Sequence, residues 1–289
     1  MNGIHVPLVT PFAANGEVDA ASLERLARHC LEEGAAGLVA LGTTGESAML
    51  TAREREAVLE VCRRVSDDHG TPLTVGVSGM GTATTVEQAR EHDRWADRLM
   101  VVVPYYLRPT DEGVMTHFEA VVDAVRAPVI VYNVPHRTGK ALTTGTLATL
   151  LSMEGVGAVK HCAGAIDQGT LELLALDVDA DVLTGDDALI HPMLGLGAAG
   201  AISTTANIAP GHYRRLHDLV RGQDTAAALE LHNALLPLVS TVFAEPNPTV
   251  VKAALSEIGL IDEPTVRAPL CQADPQLVSD AVAVFKELP

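Results

Sequence analysis

A (β/α)8 TIM barrel with a C-terminal three-helix extension is the α/β fold the sequence predicts, and three observations predict it. Eight short apolar, β-branched runs recur, each followed by a stretch with helical periodicity. The runs are apolar at successive positions, as strands buried on both faces of a parallel sheet must be. From Asp224 onward no further strand signal occurs. Eight regular units filling about 220 residues favour closure into a barrel over an open, doubly wound sheet.

The first strand is expected at 4–10 (IHVPLVT), and Asp19 caps a helix over 20–33. GLVALG at 37–42 follows, then a helix over 52–68 capped by Thr51. The third unit is LTVGV at 73–77 with a helix over 84–96; the fourth is RLMVVV at 98–103 with a helix over 111–125 capped by Thr110. PVIVYN at 128–133 precedes 143–151, and VGAVKH at 156–161 precedes 168–175. DVLTG at 181–185 and GAISTT at 200–205 complete the set, with helices over 187–195 and 210–221. Residues 1–223 read as the barrel and 224–289 as a helical appendix of three helices, 224–243, 248–258 and 275–287.

Bulk properties exclude several classes of partner. Of 289 residues, 37 are acidic and 20 basic, and a net charge of −17 repels both nucleic acid and an anionic membrane surface. Cys30, Cys62, Cys162 and Cys271 lack CxxC spacing, so neither a disulfide framework nor a zinc site is indicated, and a reducing cytoplasm is expected. The start MNGIHVPLVTPF has no basic n-region with a long apolar run, and no stretch approaches the ~20 apolar residues of a membrane span. GLGAAG at 195–200 matches GxGxxG but ends a helix and precedes a strand, the wrong order for a dinucleotide turn.

In such barrels chemistry sits at the carboxyl ends of the strands, and those ends are chemically biased here. They carry GTTGES (42–47), PYYLRP (104–109), YNVPHRTG (132–139), Lys160 with His161, and GDDA (185–188). Lysines often end strands and reach solvent along their stems, but Lys160 stands in an apolar run at the functional rim. Desolvation there predicts a lowered pKa and a nucleophilic amine that condenses with carbonyls. The hydroxyls of GTTGES, with the amides of a tight turn, suit a carboxylate, so a small 2-oxo acid fits both features. Tyr132 is either a core aromatic or a proton shuttle paired with a hydroxyl such as Thr43.

The ordered set GTTGES, PYY, YNVPHRTG, VK, LTGDDA, GAISTTAN and EPNPTVVKAAL closely resembles the dihydrodipicolinate synthase family, within the pyruvate-dependent class I aldolases that include N-acetylneuraminate lyase. The resemblance implies a Schiff base between Lys160 and pyruvate, with Tyr132 as general acid/base. It implies a proton relay completed by Thr43 and by Tyr106 from a neighbouring subunit. Thr44 and the Ile202 backbone, with Gly185, would bind pyruvate, and Arg137 the carboxylate of aspartate 4-semialdehyde. It further implies no metal or dissociable cofactor, lysine (diaminopimelate) biosynthesis, and a homotetramer, a dimer of dimers, with Tyr105 at the tight interface.

Two departures stand out. His161 and Cys162 replace the acid and small residue usual after the lysine. Of the family's lysine-feedback residues Ser47, Glu87 and Tyr105 match, but a histidine position is Ala52 and an asparagine is missing, which predicts weak or absent feedback. The alternatives are another pyruvate-dependent aldolase or dehydratase acting on a 2-oxo-3-deoxy sugar acid, and a non-catalytic barrel subunit.

Overall fold

The computed structural model describes residues 1–289. Eight parallel strands follow one another in chain order, β1 (Gly3–Pro7), β2 (Gly37–Ala40), β3 (Leu73–Val77), β4 (Arg98–Val102), β5 (Val129–Asn133), β6 (Val156–His161), β7 (Asp181–Thr184) and β8 (Gly200–Ile202), and close into a barrel. The chain divides into two compact units, Met1–Asn2 with Leu73–Ile202, and Gly3–Pro72 with Ser203–Pro289. The boundary drawn from sequence at residue 224 marks a change in element type, whereas packing groups the C-terminal helices with β1 and β2.

The first unit holds β3 to β8 with helices α3 (Thr82–Asp93), α4 (Asp111–Val122), α5 (Pro135–Thr138), α6 (Thr144–Leu151), α7 (Gln168–Leu174) and α8 (Ile190–Gly195). β3 and β5 are buried at every residue, as their unbroken apolar runs require. The β5–β6 register pairs Tyr132 with Lys160 and Asn133 with His161, and β7 sets Leu183 beside Lys160. Side-chain caps start several helices: Thr110 accepts from the Gly113 amide, Thr143 from Thr146 and Asp167 from Thr170.

The second unit holds β1 and β2 with α1 (Ala20–Glu32), α2 (Ala52–His69), α9 (Pro210–Arg221), α10 (Thr225–Val242), α11 (Thr249–Glu257) and α12 (Pro275–Glu287). Asp19 caps α1, and Thr51 with Glu54 forms a reciprocal capping box on α2. Phe12, Leu23, Leu26, Tyr213, Val250 and Leu255 are fully buried in it.

Elements differ from the sequence reading mainly at strand ends. β2 stops at Ala40 because Leu41 turns left-handed at φ 56°, and β1 stops at Pro7 before Thr10 donates its hydroxyl to the Gly45 carbonyl. The helix expected over 187–195 begins with a separate 3-10 turn, Asp187–Leu189. The single turn α5 was not foreseen; Pro135 opens it and left-handed Gly139 closes it.

His117 on α4 is buried; its Nδ1 meets the Thr82 hydroxyl at 3.0 Å, and burial pushes its pKa down to about 4. Below the ordinary histidine value the unfolded chain binds a proton that the folded chain refuses, so stability falls as pH drops from about 6.5 towards 4, by up to about 3 kcal/mol from this group. Thermal unfolding between pH 7 and pH 4.5 will show this loss, and His117→Asn will make it shallower.

Candidate active site

The carboxyl ends of β5, β6 and β7 assemble one cluster. Adjacent strands with Tyr132 opposite Lys160 bring the amine over the phenol ring, Nζ lying 4.5 Å from the ring centroid. Both residues are 7% exposed. Gly185 makes the arrangement possible: a Cβ at that position would lie 2.3 Å from Lys160 Cε and 2.3 Å from Cys162 Sγ. Its backbone is not left-handed, so space, not conformation, requires glycine there.

Burial penalises the Lys160 ammonium, but Tyr132, then Cys162, Asp187 and Asp186, outweigh that penalty and hold the amine above the ordinary lysine value. The lowered pKa expected from the apolar strand is corrected by these neighbours, two of which come from the GDDA turn. Asp187 is itself buried, and Asp186 accepts the Gly164 amide at 2.8 Å, tying the segment after β6 to the segment after β7. The amine therefore rests protonated, and any nucleophilic use of it requires a proton to leave first. The Cys162 thiol is pushed up to about 12, chiefly by burial.

His161 does not share this environment. Asn133 Nδ2 lies 3.2 Å from its Nδ1 and Thr170 Oγ1 3.2 Å from its Nε2, while the Thr170 hydroxyl donates to Asp167 Oδ1. With the asparagine amide donating, the Nε2 tautomer satisfies the whole chain. Burial lowers the imidazole pKa against the opposing pull of Asp186 and Asp167. The ring is a packed, neutral bridge.

Arg137, on α5, is exposed, and its guanidinium makes no ion pair or hydrogen bond. Tyr106 is 81% exposed and its backbone is left-handed at φ 69°, an uncommon state for a bulky residue, with the 69% exposed Leu107 following it. Tyr105 is half-buried, Glu87 is exposed on α3, and Ile202 is buried at the end of β8.

The second unit carries the turn after β2. The amides of Gly45 and Glu46 close on the carbonyls of Gly42 and Thr43, so the amide cradle expected there reduces to the hydroxyls and any remaining N–H groups. Thr43 is exposed; Thr44 is buried, with Ser47 half-buried beyond. Asn247 Nδ2 donates to Thr44 Oγ1 at 3.0 Å, and Thr204 Oγ1 lies 3.3 Å from the same oxygen. An oxygen already accepting from an amide has its own proton to give, which suits a carboxylate partner. Glu46 accepts Lys252 Nζ at 2.7 Å through Oε1 and the Arg267 amide at 2.9 Å through Oε2.

Sequence reasoning assigned no role to Asn247, Thr204 or Lys252. A signal for the last exists, because TVVKAAL sets an ammonium inside an apolar run just as VGAVKH does.

The Dihydrodipicolinate synthetase family matches residues 1–287 of the chain. The chain is similar to the 4-hydroxy-tetrahydrodipicolinate synthase of Moorella thermoacetica, 37% identical over 281 residues covering 97% of this chain and 96% of the relative. It is 41% identical to that of Synechococcus sp. (strain CC9311) over 254 residues, covering 87% and 84%. Among solved structures, the dihydrodipicolinate synthase of Thermotoga maritima aligns with a TM-score of 0.95 at 33% identity, covering 99% of this chain and 98% of that one. The chloride-inhibited dihydrodipicolinate synthase of Acinetobacter baumannii, complexed with pyruvate, aligns with a TM-score of 0.94 at 35% identity over 99% of each chain.

Because the Lys160 pKa is raised, condensation with a 2-oxo acid will accelerate steadily from pH 6 to pH 9, read as the mass gained after borohydride reduction. A plateau below pH 7 would contradict the raised value. Gly185→Ala will suppress the adduct at every pH, because its methyl group takes the space of Lys160 Cε.

Proposed function

The chain belongs to the dihydrodipicolinate synthetase family, and we propose a division of labour among its residues for that family's reaction. Its activity is that of a 4-hydroxy-tetrahydrodipicolinate synthase, a lyase of lysine biosynthesis through diaminopimelate. The family joins pyruvate to aspartate 4-semialdehyde. In our reading Lys160 supplies the nucleophile, and the observation that carries this is its buried amine against the Tyr132 ring with Gly185 leaving it room.

Tyr132 first hands its own proton to the relay and, as the phenolate, takes one from Lys160; the free amine then attacks C2 of pyruvate. Water leaves, giving the protonated Schiff base. Loss of a proton from C3 makes an enamine, which attacks the aldehyde carbon, and the amine of the second substrate then closes on C2 and displaces Lys160. Thr43 and Tyr106 relay protons to and from Tyr132; Thr44, the Ile202 backbone and Gly185 bind pyruvate. Arg137, exposed and without a carboxylate of its own, takes the acid group of the aldehyde in a charge-assisted bond. Tyr106 acts from one subunit into the next within a homotetramer, a dimer of dimers closed at Tyr105. Its exposed ring on a left-handed backbone supports that placement. The enzyme works in the cytoplasm, in keeping with four free cysteines and no helix long and apolar enough to cross a membrane.

His161 gave the sugar-acid alternative its footing, and that footing is weakened because both ring nitrogens are engaged by Asn133 and Thr170. Pyruvate with borohydride will add one pyruvate-derived mass at Lys160, Lys160→Ala will abolish it, and aspartate 4-semialdehyde will then be converted to the cyclic product. Faster cleavage of a 2-oxo-3-deoxy sugar acid would overturn the substrate assignment. Arg137→Ala will raise KM for the aldehyde about tenfold or more while leaving pyruvate trapping intact. Millimolar lysine will inhibit weakly or not at all, because Ala52 and the missing asparagine leave the feedback set incomplete; strong cooperative inhibition would refute this.

A further inference from the structure

The turn after β2 is held by the C-terminal part of the chain, through three hydrogen bonds to two of its residues, Thr44 and Glu46. Asn247, just before α11, donates to the Thr44 hydroxyl at 3.0 Å. Lys252, on the first turns of α11, reaches Glu46 Oε1 at 2.7 Å, both side chains fully buried. Arg267 donates its backbone N–H to the other oxygen of Glu46, and its guanidinium pairs with Glu54 and donates to the Met49 and Gly16 carbonyls. Lys252 Nζ and Arg267 Cζ also lie 4.1 Å and 4.3 Å from the centroid of the Phe12 ring.

The turn needs such restraint. Leu41 and Glu46 bracket it, and both are non-glycine residues in the left-handed region, at φ 56° and 53°. Each costs of order 1 kcal/mol and persists only where its surroundings fix it. For Glu46 the fixing contacts are visible, one ammonium and one amide on the two carboxylate oxygens. A buried ion pair is weak support for stability as such, and an apolar pair of similar volume serves a core equally well. A fixed direction for the carboxylate is what the pair adds.

We propose that the buried Glu46–Lys252 pair is a positioning device, by which α11 sets the conformation of the Gly42–Ser47 turn and thereby the aim of the Thr44 hydroxyl at the carboxylate of pyruvate. The proposal rests on the reading of Thr44 as a pyruvate ligand and of Lys160 as the condensing amine. Neither Glu46 nor Lys252 touches substrate; both act through the turn.

The test is the half-saturation of borohydride trapping by pyruvate at Lys160, measured with the thermal midpoint for the full chain and for Lys252→Met, Glu46→Gln and Glu46→Gln/Lys252→Met. The single variants each leave one buried charge without its counter-charge and will lower the thermal midpoint; the double variant carries neither charge and will recover most of it. Positioning predicts that the double variant, folded and restored in stability, still needs about tenfold more pyruvate, while its rate at saturating pyruvate stays within about threefold of the parent. Where a single variant does not fold, the double variant alone decides. Half-saturation within about twofold of the parent in the folded double variant would overturn the proposal and reduce the pair to a packing feature. Absence of any adduct in the parent chain would instead overturn the Schiff-base reading and the proposal with it.

Discussion

An ammonium at the end of a buried strand has to be compensated where it stands, and much of the first unit is arranged around that requirement. Parallel pairing of β5 with β6 fixes Tyr132 beside Lys160, at a register a shift of one residue would destroy, since successive side chains point to opposite faces. β7 then delivers a glycine where any side chain would collide with the lysine stem, and two aspartates immediately after it. Asp186 closes on the Gly164 amide, so the same carboxylate that supplies negative potential also joins the two segments flanking the lysine. These neighbours do more than burial does: the amine ends above its ordinary pKa, not below it. The chemical consequence is a resting ammonium whose proton must move before attack. A phenol against the amine can receive it once its own proton has moved on.

The second unit handles a different problem, that of holding a strained turn still. GTTGES uses two of its amides to close on itself, and its Thr44 hydroxyl is buried between Asn247 and Thr204. The fixing groups come from more than two hundred residues further along the chain, at Asn247, Lys252 and Arg267. The C-terminal helices therefore do more than cover an exposed face. His161 shows the opposite economy of means: a residue chemically equipped for acid–base work is used for packing, with Asn133 and Thr170 holding its two nitrogens.

Much of this was legible along the chain. The alternation of apolar runs with amphipathic stretches determined a parallel α/β barrel, because only strands buried on both faces carry such runs and only crossover helices connect them. Caps at Asp19, Thr51 and Thr110 marked true helix starts, since a side chain bonding an amide two or three residues on is a local event. Lys160 and Tyr132 could be singled out because chemically unusual residues at strand ends stand out against apolar neighbours. Strand ends at Ala40 and Ile202 were overrun, because the left-handed turn of Leu41 and the 3-10 turn at Thr205–Asn207 leave no compositional mark.

By itself, then, the sequence determined the fold class and the order of its elements and singled out Lys160 as the amine to consider, all of which follow from local pattern and residue chemistry. Tertiary structure alone decided the sign of the Lys160 pKa shift, the packing of His161 against Asn133 and Thr170, the reason for glycine at 185 and the grip of Lys252 on Glu46. Each of these depends on the distance between groups remote in the chain. Electrostatic and steric energies vary with that distance, and spacing in sequence carries no measure of it.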